Sequence, residues 1–385
     1  MKINNVSIVH FEDCTGCGTC SKICPHQCIS MVPMGKAGFL HPTIDTNSCT
    51  DCGACFKSCP LNKPATYKVA DVYAAYGKSE EILKSSNSGG VFSVIATDFL
   101  NNGGYVCGAA YTEDLDVTHI IISDIADLYK LQGSKYVQSK AFDTYPKIRD
   151  ILKSGKHVLF SGTGCQIAGL KKYLRKEYDN LLTIELVCHG VPSPALFKKY
   201  LIWLGNKANG KICKYQFRSK KLRPTGEHSQ FCYTVNGKEH VGQAYEDPYY
   251  GSFLSGTTLR ESCYNCHFKG EERVGDLTIG DFWGIEKSHP SFSSKNGTCL
   301  VMVNTLSGHH YFEYIKDRFV YVTSNYREAS LRNPSLDKPT PLPTIKIDYS
   351  AVDLFDKELR QKLSLKNKIK NHLPWQVKWF LKKYL

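Results

Sequence analysis

The sequence predicts a multidomain protein of mixed class, with a small α+β domain at its N-terminus, a larger α/β region after it and a basic helical tail. Nine of the 17 cysteines lie before residue 60. From about residue 70, apolar runs typical of strands alternate with segments of helical periodicity. Residues 351–385 contain nine lysines and arginines against three acidic residues. We therefore expect five parts, which span 1–66, 70–155, 156–333, a proline-rich linker at 334–345, and 346–385.

The composition excludes several classes of protein. With 385 residues, of which 42% are hydrophobic and 22% charged, neither global disorder nor a fibrous repeat fits. The N-terminal segment lacks the apolar run of a signal peptide, and no stretch is apolar for long enough to cross a bilayer. We therefore expect a cytoplasmic protein whose cysteines are metal ligands. Nearly half of the net charge of +13 lies in the tail and no nucleic-acid-binding signature accompanies it, so we expect no nucleic-acid partner.

The N-terminal cysteines form an internal repeat. The pattern C-x2-C-x2-C-x3-C-P occurs at 14–25 and again at 49–60, offset by 35 residues. This spacing is typical of bacterial ferredoxins with two 4Fe–4S clusters, in which the fourth cysteine of each run binds the other cluster. The predicted ligand sets are Cys14, Cys17, Cys20 and Cys59 for one cluster, and Cys49, Cys52, Cys55 and Cys24 for the other. Zinc or structural thiols are the alternative, and Cys28, outside the spacing, is predicted to be a buried thiol.

The α/β region contains two successive units of strand, loop and helix. We predict, in chain order, a helix at 91–100, strands at 105–110, 119–122 and 156–161, a helix at 167–178, a strand at 181–187 and a helix that ends near 204. Open α/β sheets place their sites at the carboxyl ends of strands, so the loops at 162–166 and 188–190 are candidates. The basic segment 218–229 is predicted to be an exposed loop.

Five motifs follow the cysteine repeat along the chain. They are Ser88-Gly89-Gly90-Val91-Phe92-Ser93, Gly133-Ser134-Lys135-Tyr136-Val137-Gln138-Ser139, Ser161-Gly162-Thr163-Gly164-Cys165-Gln166, Val187-Cys188-His189-Gly190-Val191-Pro192, and Cys263-Tyr264-Asn265-Cys266 with residues 273–284 after it. In this order they resemble the coenzyme F420 hydrogenase/dehydrogenase beta-subunit family over about residues 1–330. The resemblance implies FAD bound in the α/β region, a further 4Fe–4S cluster nearby, and hydride exchange with the deazaflavin coenzyme or another small acceptor. A redox partner protein or a small electron donor would supply the electrons.

The third cluster implied by the resemblance would use four cysteines in glycine-rich or aromatic loops. They are Cys165, Cys188, Cys263 and Cys266. Each alone could be a buried free thiol, and zinc on the same four is an alternative, since one C-x2-C pair with distant partners is also typical of zinc sites. Cys107, Cys213, Cys232 and Cys299 are predicted to be free thiols. Gly164 stands where relatives often have proline, which predicts a looser turn before Cys165.

The predicted flavin site draws on three segments. Ser88, Gly89 and Gly90 open a predicted helix and could offer N–H groups to a pyrophosphate, although an ordinary serine cap with a glycine turn explains them as well. Gly133, Ser134 and Lys135 could supply small residues and a cation near the phosphate or the isoalloxazine. Thr163 and Gln166, on either side of Cys165, complete the predicted set. The sequence has no G-x-G-x-x-G and no P-loop ending, which disfavours an NAD-type Rossmann site and an NTPase.

Three further polar residues have two interpretations each. His189 could donate a proton beside the flavin or simply form a hydrogen bond within its loop. Asp276 and Asp281 flank a short apolar strand and could hold Arg273 or a cofactor hydroxyl, or form surface ion pairs.

The tail interleaves leucines and aromatic residues with lysines. This pattern suits an interfacial helix on anionic lipid or a partner-docking helix, which would place a cytoplasmic protein at the inner face of the membrane. A helix packed on its own protein is the alternative.

The sequence as a whole predicts an iron–sulfur flavoprotein oxidoreductase that relays single electrons through clusters to FAD. The catalytic residues are not identified by sequence. Two alternatives stay open: a non-catalytic electron-transfer subunit without flavin, and a bacterial redox enzyme of cell-surface polysaccharide synthesis.

Overall fold

The computed structural model describes residues 4–62, 64–220, 230–244, 247–292, 294, 296–344, 347–349 and 354–357. The predicted basic tail at 346–385 therefore lies almost entirely outside the described residues, as does most of the predicted loop at 218–229. Among the helices of the described ranges, none is both long enough and apolar enough to span a membrane.

The N-terminal domain has two similar halves, as the cysteine repeat predicts. It contains the helix α1 (Thr19–Ile23), the antiparallel strands β1 (Ile29–Met34) and β2 (Phe39–Ile44), and the helix α2 (Ala54–Lys57). Each helix begins directly after a glycine in the left-handed conformation, Gly18 with φ 71° and Gly53 with φ 76°. Glycine adopts this conformation without steric cost, so both halves make the same tight turn after their second cysteine.

The α/β region is built on one eight-stranded mixed sheet, flanked by smaller sheets. The remaining strands are β3 (Tyr67–Lys68), β4 (Asp71–Gly77), β5 (Tyr105–Tyr111), β6 (Val117–Ile122), β7 (Val158–Thr163), β8 (Leu181–Leu186), β9 (Ile212–Phe217), β10 (Gln230–Val235), β11 (Lys238–Gln243), β12 (Glu272–Arg273), β13 (Leu277–Asp281), β14 (Cys299–Val303) and β15 (Phe319–Ser324). The large sheet has the order β15-β4-β14-β13-β8-β7-β5-β6, and β5, β7, β8 and β13 are parallel. Strands from both predicted α/β parts thus belong to one sheet. The predicted boundary at residue 155 lies in the chain between two strands of that sheet, β6 and β7.

Helices flank the large sheet and the smaller sheets. They are α3 (Glu80–Ser85), α4 (Val91–Asn101), α5 (Leu128–Leu131), α6 (Tyr145–Lys153), α7 (Gly164–Leu174), α8 (Pro194–Lys207), α9 (Pro248–Leu254), α10 (Ile285–Ser288), α11 (Leu306–Ile315), α12 (Tyr326–Ser330), α13 (Pro334–Asp337) and α14 (Leu354–Lys357). The largest core cluster packs α4 and α11 against the sheet, with Ile95, Leu159 and Val301 fully buried. The fold class predicted from the sequence is confirmed for the ferredoxin-like domain and the α/β region.

Two local predictions differ from the structure. Arg218, at the start of the predicted exposed loop, is largely buried and ion-pairs with Asp281 at 2.8 Å, because an acidic partner from the end of β13 compensates its charge. The predicted linker begins with α13, whose Leu336 is fully buried, so its first residues pack as a helical turn.

A buried histidine in β6 predicts acid sensitivity. His119 Nε2 lies 3.0 Å from the carbonyl oxygen of Ser161, and burial lowers the pKa of His119 to about 4. The ordinary histidine pKa of about 6.5 applies to the unfolded chain, so stability is lost as pH falls from about 6.5 towards 4, with about 2 kcal/mol gone by about pH 5. We expect the unfolding midpoint of His119→Gln to depend less on pH over this window than that of the wild type. The exposed His157→Gln variant is the control, and equal pH dependence of the His119 variant and the wild type would contradict the prediction.

Candidate metal centres and cofactor site

One predicted ligand set lines a single small cavity in the N-terminal domain. Cys49, Cys52 and Cys55 from the second half meet Cys24 from the first half around this cavity. The sequence predicts this exchange of the fourth cysteine. Cys28 lines the same cavity, is buried as expected, and its sulfur lies 3.4 Å from that of Cys24. Cys52 is the exposed member of the set.

The other predicted set is more deeply buried. Burial raises the pKa of Cys20 well above its ordinary value and that of Cys59 to about 12, and the charges of neighbouring thiols in the same set raise both further. Cys14 and Cys17 are the neighbours that act on both thiols, so the structure brings all four predicted ligands together. Desolvated thiols in mutual repulsion stay protonated unless a cationic group binds them, and the iron of a 4Fe–4S cluster is such a group.

The third quartet assembles at the carboxyl edge of the large sheet. Cys165 lies two residues beyond the end of β7, and Cys188 lies two residues beyond the end of β8, the neighbouring parallel strand. Burial raises the pKa of Cys165 well above its ordinary value, and the charges of Cys266, Cys188 and Cys263 raise it further. Burial likewise raises the pKa of Cys263 to about 12, although a hydrogen bond from the backbone N–H of Val191 acts to lower this pKa. The four thiols are thus mutual neighbours, and backbone N–H groups from the loop after β8 contact the sulfurs of Cys188 and Cys263, which suits a thiolate-bound cluster.

The donor chemistry of the three sets fits iron–sulfur clusters. Each has four thiols from loops or from the first turn of a helix, with glycines and backbone N–H groups nearby. Although the thiols of each set are neighbours, no three His, Cys, Asp or Glu side chains among the described residues have the spacing needed to hold a single metal ion.

One turn of α7 connects the N-terminal domain to the third quartet. A Cβ atom on Gly169 would lie 3.0 Å from Cys17 Cβ and 2.9 Å from Thr19 Oγ1, and Thr19 donates a hydrogen bond to the Gly169 carbonyl. Gly169 is four residues, about 6 Å, beyond Cys165 on the same helix. The Tyr145 hydroxyl packs here as well, and the charges of both Cys17 and Cys165 act on it, after burial, to raise its pKa. The buried N-terminal set and the third quartet are therefore separated by little more than one helical turn.

Arg260 links the α/β region to the N-terminal domain through hydrogen bonds, and the sequence did not identify this residue. Its side chain is 1% exposed and donates to the carbonyl oxygens of Cys14 at 2.6 Å and Leu40 at 3.0 Å. It also donates to Gln138 Oε1 at 3.1 Å and contacts His41 Nε2 at 3.0 Å. Burial, with Arg260 beside it, lowers the pKa of His41 to about 4, so His41 stays neutral and accepts. The position of Arg260 just before Cys263 was the only signal in the sequence.

A buried ion pair between Glu185 and Arg273 lies near the third quartet. Arg273 Nη2 lies 2.6 Å from Glu185 Oε1, and both side chains are at most 2% exposed. Glu185 also accepts the backbone N–H groups of Val274 and Gly275 at 3.0 Å. The interpretation in which Asp276 or Asp281 holds Arg273 is therefore not the observed one, because the guanidinium pairs with Glu185 on β8.

Gly164 has a steric role. A Cβ atom there would lie 2.8 Å from Glu185 Oε1 and 2.8 Å from Phe268 Cβ. The turn before Cys165 is therefore tightly packed and not loose, because Gly164 already belongs to α7. That helix starts three residues earlier than predicted because Thr163 and Gln166 form a reciprocal capping box.

The three predicted flavin segments meet around residues 132–139. Gln166 Nε2 donates to Ser139 Oγ at 2.9 Å, which links the cap of α7 to this segment. Gln132 Nε2 donates to Ser93 Oγ at 3.1 Å, which links the segment to the first turn of α4 after Gly90. Gly133 faces open space where a side chain would stand. The segment that holds Gly133, Ser134 and Lys135 is thus the shared neighbour of the other two.

The segment that contains Ser88, Gly89 and Gly90 already makes close contacts within the protein. The Ser88 hydroxyl donates to Asp281, whose carboxylate also receives Arg218 at 2.8 and 3.0 Å. A Cβ on Gly89 would lie 2.8 Å from the Ala75 carbonyl oxygen, so this glycine has a packing reason to be small. Asp281 therefore forms a largely buried ion pair with Arg218, which neither of the interpretations left open above includes.

Two buried ammonium groups lie nearby with carbonyl partners. Lys135 Nζ donates to Gln132 O at 3.0 Å and Gly133 O at 3.2 Å, and burial lowers the pKa of Lys135 to about 7. Lys220 Nζ donates to Leu83 O at 2.7 Å, and burial followed by the charge of Arg218 lowers its pKa to about 8. Neither makes an ion pair with an acidic residue in the described part of the chain.

The other singled-out residues have structural roles. His189 Nε2 lies 3.1 Å from the Phe253 carbonyl oxygen and its Nδ1 lies 3.3 Å from the Ser335 hydroxyl, which favours the loop-bonding interpretation. Asp276 accepts from Thr183 and Thr305. Cys107, Cys232 and Cys299 are buried thiols, and Cys213 is exposed.

Comparisons with known proteins bear on all three regions. The family profile "4Fe-4S dicluster domain" matches residues 13–63, and the N-terminal and C-terminal profiles of "Coenzyme F420 hydrogenase/dehydrogenase, beta subunit" match residues 72–144 and 155–329. Among solved structures, this chain is similar to a polypeptide of the F420-reducing NiFe hydrogenase complex from Methanosarcina barkeri, with 17% identity and a TM-score of 0.48 over 72% of this chain and 92% of that one. No curated protein matches significantly. The chain therefore belongs to the coenzyme F420 hydrogenase/dehydrogenase beta-subunit family and has a 4Fe–4S dicluster domain at its N-terminus.

Proposed function

We propose that the protein is an iron–sulfur flavoprotein oxidoreductase. Single electrons pass through the two N-terminal clusters and a third cluster at Cys165, Cys188, Cys263 and Cys266 to FAD, which exchanges hydride with the deazaflavin coenzyme or another small acceptor. Family membership supports the oxidoreductase role, and the dicluster domain supports iron–sulfur chemistry. The third cluster, the flavin and the hydride partner belong to the proposal.

The observation that carries the proposal is the succession of the three thiol sets. The set that includes Cys52 reaches solvent, the set that includes Cys17 is buried behind it, and Cys165 lies one turn of α7 further in. Arg260 fixes the loop of Cys14 from the side of the third quartet. Such an order suits electron transfer between the surface and the carboxyl edge of the sheet, where open α/β folds bind their ligands.

The residues at that edge fit an anionic cofactor. Lys135 and Lys220 place two ammonium groups there without a described carboxylate partner, and the buried Tyr111 hydroxyl, beside Lys135, has no hydrogen-bond partner among the described residues. These side chains would hold the phosphates or the isoalloxazine of FAD. When bound, FAD supplies the exchange between single electrons and a hydride. With a pKa of about 7, Lys135 Nζ can hold or release a proton near neutral pH.

One observation favours a flavin-free electron-transfer subunit as the second candidate. Asp281 engages both the Ser88 hydroxyl and the Arg218 guanidinium, and its carboxylate would repel a phosphate placed at Ser88.

Anaerobic purification followed by an iron, sulfide and flavin count per chain separates the two candidates. About twelve irons with one FAD supports the full proposal, and about eight irons confines the metal to the N-terminal domain. Iron without flavin supports the second candidate.

A lysine substitution tests the flavin site more locally. We expect Lys135→Met to weaken FAD binding by roughly ten- to a hundredfold, because a charge-assisted hydrogen bond contributes about 1.5–3 kcal/mol. The exposed Lys130, which pairs with Asp127, provides the control Lys130→Met. The measurement is FAD fluorescence during titration of protein stripped of flavin, and equal affinities for both variants would remove Lys135 from the site.

A further inference from the structure

A large cleft lies between the N-terminal domain and the α/β region, beside their contact at α7. The proposed cofactor site lies outside this cleft. Its volume is about 1040 Å³. One wall contains Cys52 and Lys57, and the other contains the last turn of α7 and the residues that follow it. Residues of two domains thus line the cleft. One wall contains Cys52, the exposed cysteine of the predicted set Cys24, Cys49, Cys52 and Cys55.

The electrostatics of the cleft favour an acidic occupant. Lys57, Lys171, Lys172, Arg175 and Lys176 line it, against the acidic residues Glu177, Asp179 and Asp276. Lys57, Arg175 and Lys176 are exposed and none forms an ion pair with a described acidic residue. Cations near the end of α7 also complement its helix dipole, and Lys57 ends the short helix α2 of the other domain, so both walls of the cleft contribute cations.

Two of the acidic groups are committed to the protein itself. Glu177 accepts a hydrogen bond from the Tyr67 hydroxyl at 3.0 Å, and Asp276 accepts from Thr183 and Thr305 and lies 3.8 Å from Lys171. These carboxylates keep their charge, but the five cations of the lining outnumber its three acidic residues, so the cleft retains a net positive charge. Below the rim, Tyr67, Leu174 and Leu181 supply an apolar floor. An apolar centre with a charged rim is the usual anatomy of a protein–protein interface.

We propose that this cleft docks an acidic electron-transfer protein, an inference that rests on the proposed function. In the proposed step, the reduced centre of the partner loses one electron, and the predicted cluster that includes Cys52 as a ligand would gain it. No bond forms or breaks. A protein partner is favoured over a small anion because exposed lysines on flexible stems add little to tight ligand binding but strongly steer a large charged partner. Weak redox encounters also need only small interfaces.

The test uses the anaerobically purified full-length chain, with a reduced, acidic 2Fe–2S ferredoxin as the probe. Stopped-flow absorbance gives the second-order rate constant of electron transfer, and titration calorimetry with the oxidised ferredoxin gives binding without turnover. We compare the wild type with Lys57→Glu/Lys176→Glu. The control, Lys214→Glu/Lys238→Glu, makes the same change of charge at exposed lysines on β9 and β11, outside the cleft.

We expect the cleft variant to lower the rate constant at low ionic strength by at least about tenfold and to weaken binding, and the control to stay near the wild type. Salt at about 0.5 M should remove most of the difference, because it screens the charges. Equal rates for both variants, or an effect confined to small anionic reductants, would overturn the docking proposal.

Failure of the proposed function gives a different result. The extent of bleaching by excess dithionite reports whether reducible clusters are present, independent of docking. Full bleaching in all three proteins with equal ferredoxin rates refutes only the docking surface. No bleaching in the wild type refutes the iron–sulfur relay itself, and the docking proposal falls with it.

Discussion

Anaerobically purified Cys188→Ser protein should contain about four irons fewer than the wild type, about eight in place of about twelve per chain. The reason is that Cys188 is one of four mutually close, partly buried thiols at the carboxyl edge of the sheet. A serine hydroxyl there is a far weaker ligand for iron than a thiolate. The measurements are iron and sulfide analysis and the visible absorbance of the clusters.

The exposed Cys213 supplies the matched control, since Cys213→Ser makes the same chemical change outside the quartet. We expect it to keep the full iron content. Far-ultraviolet circular dichroism of both variants verifies that the fold persists. Unchanged iron in Cys188→Ser, or zinc in its place in the wild type, would exclude a third iron–sulfur cluster while leaving the N-terminal pair intact.

Replacing Arg273 with leucine should destabilise the α/β region by about 3–5 kcal/mol, the cost of leaving one member of a buried ion pair uncompensated. Glu185 would remain almost fully buried, with only the N–H groups of Val274 and Gly275 as partners. Denaturant titration followed by circular dichroism measures the change in the free energy of unfolding.

The double variant Glu185→Leu/Arg273→Leu separates charge from packing. Because burying two ions is itself costly, we expect the double variant to recover much of the stability lost in Arg273→Leu. The exposed pair Lys211–Asp114 is the control, and Lys211→Ala should leave the unfolding free energy nearly unchanged. An Arg273→Leu protein as stable as the wild type would contradict the predicted role of the pair.

The grouping of the N-terminal cysteines could be predicted from the sequence because its signal is local spacing. Two complete C-x2-C-x2-C-x3-C-P runs specify which thiols share a loop, and the cavity lined by Cys24, Cys49, Cys52 and Cys55 agrees with the predicted exchange. The strand–loop–helix units after β7 and β8 could be predicted for a similar reason, since hydrophobic periodicity is a short-range pattern. The early start of α7 was missed although Thr163 and Gln166 have the spacing of a capping box, a signal that the sequence itself contains.

Partners distant in sequence could not be predicted. The pairs Glu185–Arg273 and Arg218–Asp281 join elements 88 and 63 residues apart, and nothing in the local pattern selects one carboxylate over another. Arg260 meets Cys14 across 246 residues. The single sheet shared by the two predicted α/β parts is also a long-range property, because β4 and β14 pair across most of the region.

The absence of a side chain at Gly169 has a consequence for how such a chain can evolve. Cys17, Thr19 and Tyr145 all crowd the point where a methyl group would stand. Any larger residue would push the N-terminal domain away from α7 and lengthen the distance between the thiol set that includes Cys17 and the third quartet. The electron transfer proposed between these two sets is therefore vulnerable to a mutation that alters neither a predicted ligand nor a cofactor contact.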